Sequence, residues 1–112
     1  TLTQACWNLN LADSHIQAFQ QYYALLMAHN QQVNLCRIPD EAAFIERHLL
    51  NSLALWPVLQ DLPSHTRVLD MGSGGGFPLI PMAIVRPDLV WHSAEATQKK
   101  VRCLEHMAQS LN

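Results

Sequence analysis

The architecture of this chain turns on Val68-Leu69-Asp70-Met71-Gly72-Ser73-Gly74-Gly75-Gly76-Phe77-Pro78. Arg67 to Met71 reads as a short buried strand. Its apolar residues do not alternate cleanly, which suits a parallel strand covered on both faces. Glycines at 72, 74 and 76 follow at once, giving G-x-G-x-G directly after a strand. Small residues there let the backbone turn sharply and approach a ligand closely. The helix beyond, running to about Val85, offers unpaired N–H groups at its start. Phe77-Pro78 suits a helix start with proline in the first turn. Pro81 stands where a turn normally needs its N–H, so the helix is expected to open irregularly or to begin nearer Pro81.

Working outward, Arg86-Pro87-Asp88 ends that helix, and Leu89 to Ala94 is a second strand. Thr97 to Leu111 is a second helix, with Val101, Leu104 and Met107 or Ala108 facing inward. The order β-α-β-α implies parallel strands joined by right-handed crossovers. Upstream the apolar spacing is helical. Asp13 or Ser14 can cap a helix to about His29, whose apolar face is Ile16, Phe19, Tyr23, Leu26 and Met27. Pro39-Asp40-Glu41 starts another helix, carrying Phe44, Ile45, His48, Leu49, Ser52 and Leu53 inward, and Pro57 breaks or kinks it after Trp56. The chain divides near Pro63-Ser64-His65, into a helical segment (residues 1–64) and an α/β segment (residues 65–112).

The chain has 112 residues, 49% of them hydrophobic and 14% charged. That is enough for one small domain with a real core, and too few charges for a disordered tail. The formal net charge is -2, so the chain as a whole does not attract nucleic acid. Any RNA contact must come from a local basic patch or from residues outside this chain. Cys6, Cys36 and Cys103 are far apart and form no C-x-x-C, which argues against a disulfide framework or a zinc site. Free thiols point to a reducing, cytoplasmic compartment. No run approaches ~18 consecutive apolar residues, so no membrane helix is expected, and no basic-then-apolar leader is legible. Neither metal-ligand spacing nor a Ser-His-Asp arrangement is present, and no metal or catalytic dyad is expected.

The loop chemistry narrows the ligand. The dinucleotide fingerprint G-x-G-x-x-G would need a third glycine where Phe77 stands, and a P-loop would need Gly-Lys-Ser or Gly-Lys-Thr. Asp70, two residues before Gly72, is similar to the strand-end acid of S-adenosylmethionine enzymes. That cofactor is cationic at sulfur and carries an ammonium group, so a carboxylate suits it better than it suits a pyrophosphate. Capping of the following helix is the structural alternative for Asp70. Glu95, at the end of the second strand, sits where a doubly wound sheet brings a carboxylate beside the first glycine loop. There it can accept both ribose hydroxyls of a nucleoside, or it is an ordinary surface carboxylate.

Beyond the superfamily, the stretch from Val68 to Pro81 resembles the loop of the RsmG (GidB) family. Arg47-His48-Leu49-Leu50-Asn51-Ser52 is similar to that family's Arg-His-aliphatic-aliphatic-Asp-Ser. Asn30 with Asn34-Leu35, and Glu95 with Lys99-Lys100 and Leu104, resemble two further motifs, so the likeness covers roughly residues 16 to 112. Cys36, Asn51 and Leu79 stand where the family usually has Thr, Asp and Gly.

The resemblance implies the N-terminal part of a Rossmann-like class I methyltransferase fold, α/β in class. It implies S-adenosylmethionine as cofactor and N7 of a guanine in small-subunit ribosomal RNA as the methyl acceptor. Cofactor contacts are expected from Gly72, from Gly74 to Gly76 and from the backbone of Phe77. Arg47 and His48 are candidates for RNA or cofactor-lid contacts, or else polar anchors tying the helical segment to the sheet. Lys99, Lys100 and Arg102 are candidate phosphate contacts, or else a solvated helix face. Two other readings stay open: a nucleotide-dependent oxidoreductase of the NAD type, and a non-catalytic cofactor-binding module. The family continues for about as many residues again. Two parallel strands make a poor sheet with open edges, so the 112-residue chain alone is expected to be inactive and to self-associate.

Overall fold

The computed structural model describes residues 12–33, 35, 38–72 and 75–111. Helix α1 is Asp13–Asn30. Helix α2 comprises residues 41–53 and contains a π-helical turn, Phe44–Leu49. A short helix α3, Trp56–Leu59, follows. Strand β1 is Arg67–Met71, helix α4 is Leu79–Val85, strand β2 is Val90–Ala94 and helix α5 is Gln98–Leu111.

The helix starts follow local chemistry. Asp40 caps α2 by accepting the Ala43 N–H at 2.8 Å, as its Pro-Asp-Glu context predicts. Helix α1 starts differently from the expectation: Asp13 is its first helical residue, and Ala12 is the cap. Asp13 there places a negative charge in the first turn, where the helix dipole favours it. The break expected after Trp56 comes earlier, at Ala54-Leu55. Pro57 then sits in the first turn of α3, where it forfeits no helical bond.

Inside α2 the chain widens. The Leu50 N–H bonds to the Ile45 carbonyl, five residues back. Asn51 Nδ2 and Ser52 Oγ each donate at 2.8 Å to the carbonyls of Arg47 and His48. These side chains serve the backbone of the π-helical turn, which gives Asn51 a structural use.

Strands β1 and β2 pair in parallel, Arg67 opposite Val90 through Met71 opposite Ala94. One face carries Val68, Asp70 and Trp91 half-buried against the helices. The opposite face leaves Leu69 60% and Met71 77% exposed. Two strands alone make a poor sheet, and among the described residues only one of its faces is covered. No described helix packs on the other side.

One core joins the helical and α/β segments. Ile16, Phe19, Tyr22 and Leu26 from α1 meet Phe44, Leu49 and Leu53 from α2, Met82 from α4, and Cys103, Leu104 and Met107 from α5. Each large side chain fully buried here contributes about 1.5–3 kcal/mol. The structure shifts two expected inward faces. Tyr22, not Tyr23, is fully buried on α1, and on α5 the inward face is Leu104 and Met107, joined by Cys103, with Val101 only half-buried and Ala108 exposed. Polar ties reinforce the α1–α5 contact: His29 Nε2 and His106 Nδ1 lie 2.8 Å apart, and Gln21 donates to the Ser110 carbonyl.

The crossover is locked by Arg86, just past α4. Its guanidinium donates to the carbonyls of Leu59 and Leu62 and to both carboxylate oxygens of Asp88. Ser64 Oγ also donates to Asp88, and Trp91 Nε1 donates to the Arg86 carbonyl. The Arg86 and Ser64 hydrogen bonds hold the Asp88 carboxyl well below the usual carboxylate range. A depressed folded-state value means that Asp88 stabilises the fold above about pH 4, the unfolded carboxylate range, and loses that contribution as the pH falls below it. Asp88→Asn should therefore lower the melting temperature at pH 7, and the gap from the parent should narrow as the pH falls through 3. Thermal melts across that range check this; a constant gap would show that ionisation of Asp88 is not the source.

Candidate functional site

The loop from Gly72 to Pro78 lies at the carboxyl ends of the two strands. The Gly72 N–H donates to the Ala94 carbonyl at 2.7 Å, which continues the β1–β2 ladder one step into the loop. Gly72 has φ +70°, and a Cβ placed on it would meet nothing within 4 Å. The backbone here needs glycine for its torsion, and open space lies beside it. Gly76 is constrained in the other way. Its φ is +95°, and a Cβ there would stand 2.6 Å from Ile80 Cδ1 and 3.2 Å from Leu104 Cδ2. Gly76 is thus a packing glycine that lets the loop rest on α4 and α5. Gly74 lies outside the described residues.

The start of α4 resolves the two prolines. Pro78 is the cap and Leu79 the first helical residue. The Leu79 N–H goes to Asp70 Oδ2 at 3.2 Å, the Ile80 N–H to the Gly76 carbonyl at 2.7 Å, and the Met82 N–H to the Pro78 carbonyl at 3.1 Å. Pro81 falls at the third helical position, where an N–H has no helical acceptor in any case. The helix thus begins past Phe77-Pro78, two residues before Pro81 and after a run of turn residues, as the second proline led one to expect, and Pro78 lies outside its first turn. Asp70 thus takes the capping role, tying the end of β1 to the start of α4.

An aromatic cluster holds the loop from the helical side. The Phe77 ring lies 5.5 Å from Tyr22, 6.1 Å from Phe44 and 4.7 Å from His48, and the last of these pairs is stacked with an interplanar angle of 27°. Tyr22 Oη donates to the Gly75 carbonyl at 2.6 Å in a buried setting. Sequence reasoning missed Tyr22. The signal was there in the spacing Ile16, Phe19, Tyr22, Leu26, but Tyr23 fits helical steps from Phe19 equally well.

His48 therefore faces the loop, while its neighbour Arg47 is exposed on α2. Among the described residues His48 Nε2 is buried with no hydrogen-bond partner. Such a nitrogen costs about 1–3 kcal/mol relative to a satisfied one.

Glu95 follows Ala94 directly, so its backbone adjoins the residue that holds Gly72. It is half-buried, and its Oε1 accepts the Thr97 N–H at 3.2 Å ahead of α5. Lys99 and Arg102 are exposed and Lys100 is half-buried, all within the first two turns of α5. The structure thus brings Gly72 and Glu95 to one end of the sheet, and Gly75, Gly76, Phe77 and His48 to the other end of the same loop. Arg47 stands on α2, and the lysine pair stands on α5.

Two substitutions separate these constraints. Tyr22→Phe strips the buried Gly75 carbonyl of its donor and should cost about 1–3 kcal/mol. Gly76→Ala combines a positive φ with steric overlap and should cost at least as much, whereas Gly72→Ala should cost only the left-handed penalty of about 1–2 kcal/mol. Urea titrations of the three variants check the order; an innocuous Gly76→Ala would show that the loop does not rest on Ile80 and Leu104.

Residues 15–112 match the profile of the GidB family, described as rRNA small subunit methyltransferase G. A ribosomal RNA small subunit methyltransferase G of Sorangium cellulosum is 47% identical over 90 residues, covering 80% of this chain and 38% of that protein. Proteins of the same name from a Roseiflexus species and from Chromobacterium violaceum are 40% and 42% identical, over 98% and 92% of this chain and 46% and 48% of their own lengths. The chain spans less than half the length of these relatives. It belongs to the rRNA small subunit methyltransferase G family.

Proposed function

We propose that this chain is the N-terminal portion of an S-adenosylmethionine-dependent methyltransferase acting on N7 of a guanine in small-subunit ribosomal RNA. The observation that carries this reading is the glycine loop. It leaves β1 with a positive φ and open space at Gly72, and its first N–H is held by the residue preceding Glu95. A nucleoside seated there would find a carboxylate for its ribose hydroxyls beside a backbone with no side chain in the way. The oxidoreductase reading has no support in the relatives' names.

On this reading the β-α-β-α unit is the first half of a Rossmann-like class I fold, in residues 65–112, and the preceding helical segment braces its loop through Tyr22 and Phe77. Gly72, Gly74, Gly76, Phe77 and Glu95 would hold the cofactor. Asp70 would join them from the end of β1, its carboxylate also tying the turn to the Leu79 N–H. When bound, S-adenosylmethionine supplies an electrophilic methyl group on sulfonium. Guanine N7 presents a lone pair and has no proton to lose, so the protein's task is alignment and not general-base catalysis.

The basic residues of α5 suit the acceptor. Lys99, Lys100 and Arg102 stand at the positive end of the helix dipole, with no acidic residue in the first turn. Lys99 and Lys100, in the first turn, are each disfavoured there by about 0.3–1 kcal/mol. Phosphates of RNA would relieve that cost, since they welcome both the helix N–H groups and the cations.

The test is incubation of a full-length protein that carries this chain as its N-terminal portion with radiolabelled S-adenosylmethionine and small-subunit RNA, followed by nucleoside analysis. The expected product is 7-methylguanosine, and NAD should not compete for binding. Methylation confined to another nucleoside would overturn the guanine assignment. Glu95→Gln should weaken cofactor binding by about 1–3 kcal/mol, the loss expected when a charged acceptor becomes neutral. Equal affinity of the parent for adenosine and its dideoxy analogue would remove Glu95 from the ribose.

A further inference from the structure

We propose that His48 Nε2 is a hydrogen-bonding contact for the amino-acid end of the sulfonium cofactor, an inference that rests on the methyltransferase reading above. Three observations converge on it. The first is the state of the atom itself. Nearly all buried polar side-chain atoms in folded proteins have a partner, and the exceptions ask for an explanation. His48 Nε2 is buried and has none, although two side chains one turn on are served: Ser52 Oγ reaches the His48 carbonyl and Asn51 Nδ2 the Arg47 carbonyl.

The second observation is where the ring sits. It stacks on Phe77 at 4.7 Å, at the end of the glycine loop. A ring required only for packing in that position would be better as phenylalanine, which fills similar space and leaves no nitrogen to satisfy.

The third is the polarity of the loop. Its Gly72 end is bound to the residue before Glu95, and its Phe77 end is bound to α1 and α2 through aromatic contacts and the Tyr22 hydroxyl. A nucleoside whose ribose meets Glu95 at the first end extends its other polar end toward the second. The group at that end carries an ammonium and a carboxylate. A neutral imidazole accepts from the first through a bare Nε2 or donates to the second through Nε2–H, according to tautomer. His48 acts here by binding, and no proton transfer is asked of it.

The test compares His48→Phe with its parent, both in a full-length protein that carries this chain as its N-terminal portion, using two ligands that share a nucleoside and a sulfur: S-adenosylmethionine, and methylthioadenosine, which lacks the amino-acid end. His48→Phe keeps a flat ring against Phe77. It should melt no lower than the parent without ligand, bind S-adenosylmethionine about tenfold or more weakly, and bind methylthioadenosine as the parent does. Should His48→Phe fail to fold, His48→Gln and His48→Met form a second pair, similar in length and differing in the polar end. His48→Gln should then bind S-adenosylmethionine more tightly than His48→Met, with no difference for methylthioadenosine. Unchanged S-adenosylmethionine affinity in His48→Phe, or an equal loss for both ligands, would overturn the contact and leave a packing role. A parent protein that binds neither ligand would instead overturn the methyltransferase reading itself.

Discussion

The Phe77 ring is the contact on which the arrangement depends. It closes the glycine loop and at the same time enters the aromatic group of Tyr22, Phe44 and His48. A glycine-rich loop has many accessible conformations, and ordering it costs more backbone entropy than ordering other residues. Phe77 offsets that cost by burying a large apolar surface at the loop's far end, while Tyr22 Oη pins the Gly75 carbonyl. The helical segment is therefore part of the loop's geometry. Loosening α1 or α2 would loosen the loop even though neither helix adjoins it in sequence.

The second fixed point is Arg86, which collects the backbone carbonyls of Leu59 and Leu62, at and just past the end of α3, and the carboxylate of Asp88 into one knot. It sets where β2 begins, because His65 and Val90 bond across the same corner to Asp88 and Thr66. Register follows from there. With Arg67 opposite Val90, the side chains of Val68, Asp70 and Trp91 share the helical face, and Ala94 arrives opposite Met71, one step before it meets Gly72. The corner at Arg86 and the loop at Gly72 are two ends of the same ladder, so an error in one would displace the other. The face carrying Leu69 and Met71 takes no part in this and remains uncovered among the described residues.

What could be read in the sequence was local. The bounds of β1, the loop, the end of α4 and the cap at Asp40 follow from glycine, proline and capping chemistry within a few residues. What could not be read required a partner distant in the chain. Steps of three and four residues from Phe19 reach both Tyr22 and Tyr23, and only docking of α1 against Gly75 chooses between them. The π-helical turn is equally silent, since Phe44, Ile45, His48, Leu49 and Ser52 also fit an α-helix. Arg86 reads as a helix end, and its acceptors at Leu59 and Leu62 lie more than twenty residues away. For the candidate site, the same division holds. Gly72, Gly76, Phe77 and Glu95 were visible as a motif, but the two different reasons for glycine at 72 and 76 were not. Asp70 was visible as an acid, and its bond to the Leu79 N–H needed the fold.

The charge distribution agrees with this division of labour. A chain with net charge -2 has no general attraction for a polyanion, so contact with RNA would have to be local and oriented. The cations at Lys99 and Lys100 are placed where the helix itself opposes them, in the first turn of α5 just after Glu95, and Arg102 follows in the second turn. Placed at the carboxyl end of a helix they would have stabilised it. Their actual position gives up that stability, yet it gathers positive charge beside the carboxyl ends of the strands, where the glycine loop also lies. In the proposed reading that coincidence lets one short helix start serve both ligands. The carboxylate before it faces a ribose, and the cations after it face a phosphate backbone, within a span of eight residues from Glu95 to Arg102. Opposite charges so close in sequence could neutralise each other. Glu95 Oε1 accepts the Thr97 N–H, which ties the carboxylate to the turn between β2 and α5.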